Sequence, residues 1–138
     1  MRTFYIFKIN KEMAILTKDN PYNIFKSMED IFKMTKKELP VGLNIYEQLI
    51  TPINQNKVNR KIIMSYKDND YYQKNYNVHS IYNKYKPEET KLTVKNSYLL
   101  LESNVIKPSF LKELSYDRDL FVCDFANKDY FWVDELKI

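Results

Sequence analysis

Residues 119–133 read DLFVCDFANKDYFWV, two apolar runs at 120–125 and 130–133 separated by the polar, turn-forming Asn127-Lys128-Asp129. In the first run Leu120 and Val122 point one way and Phe121, Cys123 and Phe125 the other. A strand apolar on both sides belongs in the middle of a sheet with cover above and below. The pattern predicts a β-hairpin with Asp124 as its misfit, a carboxylate that must be satisfied by hydrogen bonds or a cation. Residues 3–9 repeat the theme: Thr3, Tyr5, Phe7 and Ile9 share one face, Phe4 and Ile6 the other. This strand is expected beside the C-terminal hairpin.

Between these ends the period changes. Lys11–Thr17 (KEMAILT) has the composition of a short helix. Asn20-Pro21 is a helix start, with Asn as N-cap and Pro in the first turn. Ile24, Phe25, Met28, Ile31 and Phe32 then recur at spacings of three and four, the apolar stripe of a helix. Pro40-Val41-Gly42 reads as the break after it, and 43–50 as a further helix with Leu43, Tyr46, Leu49 and Ile50 on one side. Residues 54–85 are the least readable. Val58, Ile62 and Tyr66 fit a helix, whereas Ile62-Ile63-Met64 fits a strand equally well. Residues 91–94 and 98–102 predict a second hairpin around Lys95-Asn96-Ser97, and Pro108 opens a short helix with Phe110, Leu111 and Leu114 inward. The sum is a single α/β (α+β) domain over 1–138: a mixed or antiparallel sheet, with an N-terminal strand and a C-terminal hairpin, covered by several short helices.

Composition narrows the chemistry. The chain has 138 residues, one glycine (Gly42), one cysteine (Cys123) and one histidine (His79). A single glycine builds neither a phosphate-cradling loop nor a dinucleotide fingerprint. A single histidine and a single cysteine leave zinc sites built on several such ligands unfilled. No internal disulfide forms, and Cys123 reads as a buried thiol. No apolar run is long enough to span a membrane, and the N-terminus has no signal-peptide pattern, so a cytoplasmic protein is expected. His79 is expected to be exposed. Asp117, Asp119, Asp124, Asp129 and Asp134 are candidates for a carboxylate pair or a hard metal site, but turns and strand ends account for all but Asp124. The chain reads as a non-enzyme without cofactor or metal.

The net charge of +4 is local. Within 57–91, Lys57, Arg60, Lys61, Lys67, Lys74, Lys84, Lys86 and Lys91 face Asp68, Asp70, Glu88 and Glu89, so the stretch holds 8 − 4 = +4 and the remainder balances. With Tyr71, Tyr72, Tyr76, Tyr82 and Tyr85, it is a candidate stacking platform for single-stranded nucleic acid. That requires an exposed, coplanar row of rings. The competing reading is a protein-binding module using Lys11–Thr17 and 43–50, short elements whose apolar side chains become anchors wherever they miss the core.

The order of these features resembles the sporulation inhibitor of replication (SirA) family of Firmicutes. The resemblance rests on the opening strand TFYIFKI followed by KE and a short helix, on the helix through Ile24–Phe32, on ITPI at positions 50–53, and on LFVCDFANKDYFWV. The family's Asp-Phe, polar turn with Lys and Tyr-x-Trp fall here on Asp124, Phe125, Asn127, Lys128, Tyr130 and Trp132. The resemblance implies a non-catalytic α/β domain, monomeric when free, that binds the N-terminal domain of the replication initiator DnaA and restrains initiation without contacting nucleic acid or membrane. By position, the family's docking surface would fall on Met13, Ala14 and Thr17 of the first helix and on Tyr46 and Leu49. Met13 and Thr17 stand where relatives carry an aromatic. On this reading Ala14→Lys should abolish binding and leave the fold intact.

Overall fold

The computed structural model describes residues 1–34 and 38–136. The opening strand, β1 (Arg2–Lys8), is followed by α1 (Lys11–Thr17), α2 (Pro21–Phe32), α3 (Leu39–Leu49) and α4 (Gln55–Tyr66). Six more strands come after: β2 (Tyr72–Asn75), β3 (Val78–Asn83), β4 (Glu88–Val94), β5 (Leu99–Ser103), β6 (Leu120–Asp124) and β7 (Asp129–Trp132). They form one sheet in the order β2-β3-β4-β5-β1-β6-β7, every neighbouring pair antiparallel. The expected α/β (α+β) class is what is observed, with an antiparallel sheet.

Alternation along β1 and β6 builds two cores at once. Phe4, Ile6, Leu120 and Val122 face α4 and the 3₁₀ turn Lys112–Tyr116, together with Ile62, Leu92, Leu99, Leu101 and Phe110. Phe7, Phe121 and Cys123 face the other way, with Ala14, Ile24, Phe25, Met28 and Trp132. The strand is greasy on both sides because it has helices on both sides. Register fixes the arrangement, with Tyr5 opposite Leu100 on one flank and Cys123 on the other.

Several expectations need correction. The motif Pro40-Val41-Gly42 does not break a helix; it lies in the first turns of α3, with Pro40 where the missing N–H costs nothing. Residues 55–66 are helix throughout, so the strand alternative for Ile62-Ile63-Met64 is discarded. The tyrosine-rich segment contains the hairpin β2–β3, turning at Tyr76, whose φ of 54° is left-handed. With glycine so scarce, Tyr76 and Lys128 (φ 52°) take turn positions that glycine or asparagine usually fills. Pro108 precedes a 3₁₀ turn, and Phe110, Leu111 and Leu114 are buried as expected.

His79 is 0% exposed, not solvated. It occupies the inward position of β3 beside Ile81, at hydrogen-bond distance from Tyr72 Oη at Nδ1 and Asn59 Oδ1 at Nε2, both 2.7 Å. Asn59 Oδ1 can only accept, so Nε2 carries the proton and Nδ1 accepts from the tyrosine. Burial, with Lys74 nearby, lowers its pKa to about 4. A neutral imidazole with both nitrogens satisfied is a core residue that clips α4 to the β2–β3 hairpin.

Candidate partner-binding surface

The first helix is seven residues long, so its geometry is set by its ends. The Asn10 side chain accepts from Glu12 N (3.0 Å) as N-cap. At the far end Lys18 lies over the Trp132 ring (4.4 Å to the centroid), pairs with Asp134 (2.8 Å) and donates to Arg118 O. These clamps press Ala14 into the core beneath. The third helix is held by Tyr46, whose ring meets Phe7 edge-on and whose hydroxyl donates to Ser97 O (2.9 Å). Burial raises the Tyr46 pKa above that of an ordinary phenol, so it remains a donor. Asn10 N donates to Leu49 O (2.7 Å) and Ile9 bridges Ile50, joining the start of α1 to the end of α3.

The five residues singled out by position are therefore neighbours in function only in part. Met13, Ala14, Tyr46 and Leu49 pack in one cluster. Met13 and Thr17 on α1 and Tyr46 and Leu49 on α3 are half-buried. The Thr17 hydroxyl donates to Met13 O within its own helix (2.6 Å). Ala14 is only 3% exposed, so it presents nothing to a partner, and a lysine there would enter the core. The expectation that Ala14→Lys spares the fold is thereby corrected.

The apolar atoms that do reach solvent belong to other residues, among them Leu43, which the sequence pattern places on the apolar side of its helix. Ile15 and Leu16 are 72% and 77% exposed on α1, and Val41, Leu43 and Ile45 are exposed on α3. Residues 13–16 of α1 are all apolar, so periodicity could not say which pair faces out; only docking against Phe7 and Trp132 decides it. Beside α3, Leu43 and Tyr46 with Ile31, Phe32 and Tyr98 line a cleft of about 320 Å³. It shares Leu43, Tyr46 and Ser97 with a second of about 510 Å³ that runs to Ile50 and Pro52. Apolar helix surface thus borders concave ground, the form that recognition of a protein segment takes.

The other candidates disperse. The five aspartates do not form one site: Asp117 pairs with Lys8 and Asp134 with Lys18, and only Asp124 and Asp129 come together, as a cross-strand pair neutralised by Arg2. Buried Asp124 accepts from Arg2 Nε (3.0 Å), Asn127 N (3.1 Å) and Asn127 Nδ2 (2.8 Å). Burial pulls its pKa up, but these donors outweigh it and hold the carboxyl below the usual range. Among the described residues no group of three His, Cys, Asp or Glu side chains is placed to hold a metal. Cys123 is fully buried, and burial pushes its thiol pKa up, away from reactivity. Among the described residues no helix is long and apolar enough to cross a membrane.

The stacking row is not formed either. Exposed Tyr76 sits in the β2–β3 turn and exposed Tyr85 beyond the opposite end of β3, whereas Tyr72 packs on His79 in the interior. The uncovered face of β4 and β5 carries Glu89 and Glu102 against Lys91, the wrong balance for phosphates. No protein-family model matches the chain, and no curated protein matches it at a significant level.

Proposed function

We propose that this chain is a non-catalytic cytoplasmic regulator that docks through α1 and α3 on the N-terminal domain of DnaA and inhibits initiation of chromosome replication. The partner is taken from the resemblance to the sporulation inhibitor of replication family. The single observation that supports docking here is the set of exposed apolar side chains, Ile15 and Leu16 on α1 and Val41, Leu43 and Ile45 on α3, in the same two helices as the half-buried Met13, Thr17, Tyr46 and Leu49. Exposed aliphatic groups beside a partly open tyrosine make a desolvated interface centre, and inhibition then requires only occupancy of the surface the initiator uses.

Calorimetric titration of the purified chain with the purified initiator domain tests this. One-to-one binding is expected, weakened at least tenfold by Leu16→Glu and by Ile15→Glu, with thermal melts unchanged. Absence of binding by the unaltered chain rejects the partner. Binding that both variants retain in full rejects the placement.

A further inference from the structure

On the opposite side of the sheet, we propose that the outward face of α4 is a docking surface for the phosphate backbone of duplex DNA. The helix reads QNKVNRKIIMSY, without an acidic residue, and Lys67 caps it. Val58 and Ile62 are buried, while Lys57, Arg60, Lys61, Met64 and Lys67 are exposed. Their spacings of three and four put all five on one stripe. Four cations therefore stand in a row along about 15 Å of helix, a length over which a duplex presents about four phosphates per strand.

Three observations bear on the state of these cations. Five lysines elsewhere meet carboxylates, Lys8 with Asp117, Lys18 with Asp134, and Lys26, Lys33 and Lys128 with Glu29, while others such as Lys11, Lys74 and Lys95 meet none among the described residues. Among the described residues, Lys57, Arg60, Lys61 and Lys67 make no such pair. The nearest acids are engaged or off the stripe, with Glu113 accepting from Tyr66 Oη, Asp117 held by Lys8, and Asp68 and Asp70 beyond the helix end. Lys57 also lies in the first turn, where the helix dipole favours the opposite sign, so the charge does not serve the helix. Finally, Lys57 and Lys61 flank the half-exposed Tyr116 ring, their Nζ atoms 5.4 and 5.8 Å from its centroid, which holds both ammoniums at the surface.

An acidic protein would also answer the charge, but Met64 is the one large apolar side chain on the stripe, and lysine is depleted where proteins desolvate one another. Phosphates need only point charges. The contact would be independent of sequence and sensitive to salt.

The test is fluorescence anisotropy with a labelled duplex of about 20 base pairs, the full chain titrated at salt concentrations from about 50 to 200 mM. Four phosphate contacts give a slope of log affinity against log salt of about −3.6. Combined Lys57→Gln, Arg60→Gln and Lys61→Gln substitution should reduce it to about −0.9. Arg60→Glu alone, at a side chain whose loss disturbs no ion pair, should lower it by about one contact. Trp132 emission verifies that the variants remain folded. A wild-type slope shallower than −1, an unchanged slope in the triple variant, or displacement of the duplex by less polyglutamate than unlabelled duplex of equal charge would each overturn the proposal. The last would assign the face to an acidic protein segment.

Discussion

On the α4 side of the sheet the packed residues are mostly aliphatic, Ile62, Leu92, Val94, Leu99 and Leu101 among them, and the covering helix turns cations to water. On the α1–α3 side rings dominate: Phe25 stacks on Tyr130 at 4.8 Å, Phe121 meets Trp132 at 5.0 Å, and Tyr5, Phe7, Phe32 and Tyr98 interlock. There the cover leaks, leaving Ile15, Leu16, Leu43 and half of Phe32 in solvent. On α1 the leak follows from helix length. A twelve-residue helix has three turns with which to sort polar from apolar residues, whereas α1 has two and carries four consecutive apolar residues. One side is finished by the chain itself, and the other leaves apolar surface for something else to cover.

The contrast can be broken most forcefully in the cores. Phe121→Ala should cost about 4 kcal/mol and Ile62→Ala about 3 kcal/mol, since both are fully buried and leave cavities that rigid neighbours cannot fill. Urea unfolding of each measures it, and a loss under 1 kcal/mol in either would mean that its side is not a true core. Next comes Asp124→Ala, expected to cost about 2 kcal/mol because Arg2 and the Asn127 amides lose their acceptor.

Acid separates the two sides by window. On the α4 side, His79 has a folded-state pKa of about 4 against an ordinary 6.5, so the unfolded chain binds the extra proton and stability declines as pH falls through that interval. On the helical side, the hydrogen bond and charge of Lys128 hold Glu29 below its usual pKa, and Asp124 is lowered as well. Their contributions stay intact until pH falls below the ordinary carboxylate range. Melting temperature against pH should therefore begin to fall near pH 6.5, and His79→Gln should flatten that first decline while leaving the later one. The smallest effect sharpens the comparison at the surface. Leu16→Glu and Met64→Glu should each alter stability by under about 0.5 kcal/mol, as read in the same urea experiment. Only Leu16→Glu should affect binding of a partner protein.

What was legible in the sequence was whatever alternated cleanly. The two faces of β1 and β6, the stripe of α2, the β4–β5 hairpin and the inward Phe110, Leu111 and Leu114 all follow from period and turn chemistry. The β2–β3 hairpin did not show, because its turn uses Tyr76 rather than glycine and its inward position 79 is a histidine. Such a residue reads as polar until Tyr72 and Asn59 are known to satisfy it. Pro40 misled because proline marks helix starts as well as stops. At the candidate surface, position along the chain singled out a residue on the inward face of α1. Ala14 faces inward and its neighbours Ile15 and Leu16 outward, a choice made by distant packing on Trp132 and Phe7 and invisible in KEMAILT itself.

The placement of β1 between β5 and β6 has a consequence for biogenesis. The Arg2 side chain meets Asp124 across 122 positions of sequence, and both flanks of the first strand are supplied by late segments. A ribosome therefore exports Phe4, Ile6 and Phe7 long before their neighbours exist, and no partial nascent product can complete the sheet. Chaperone occupancy during translation should persist until the last hairpin clears the exit tunnel.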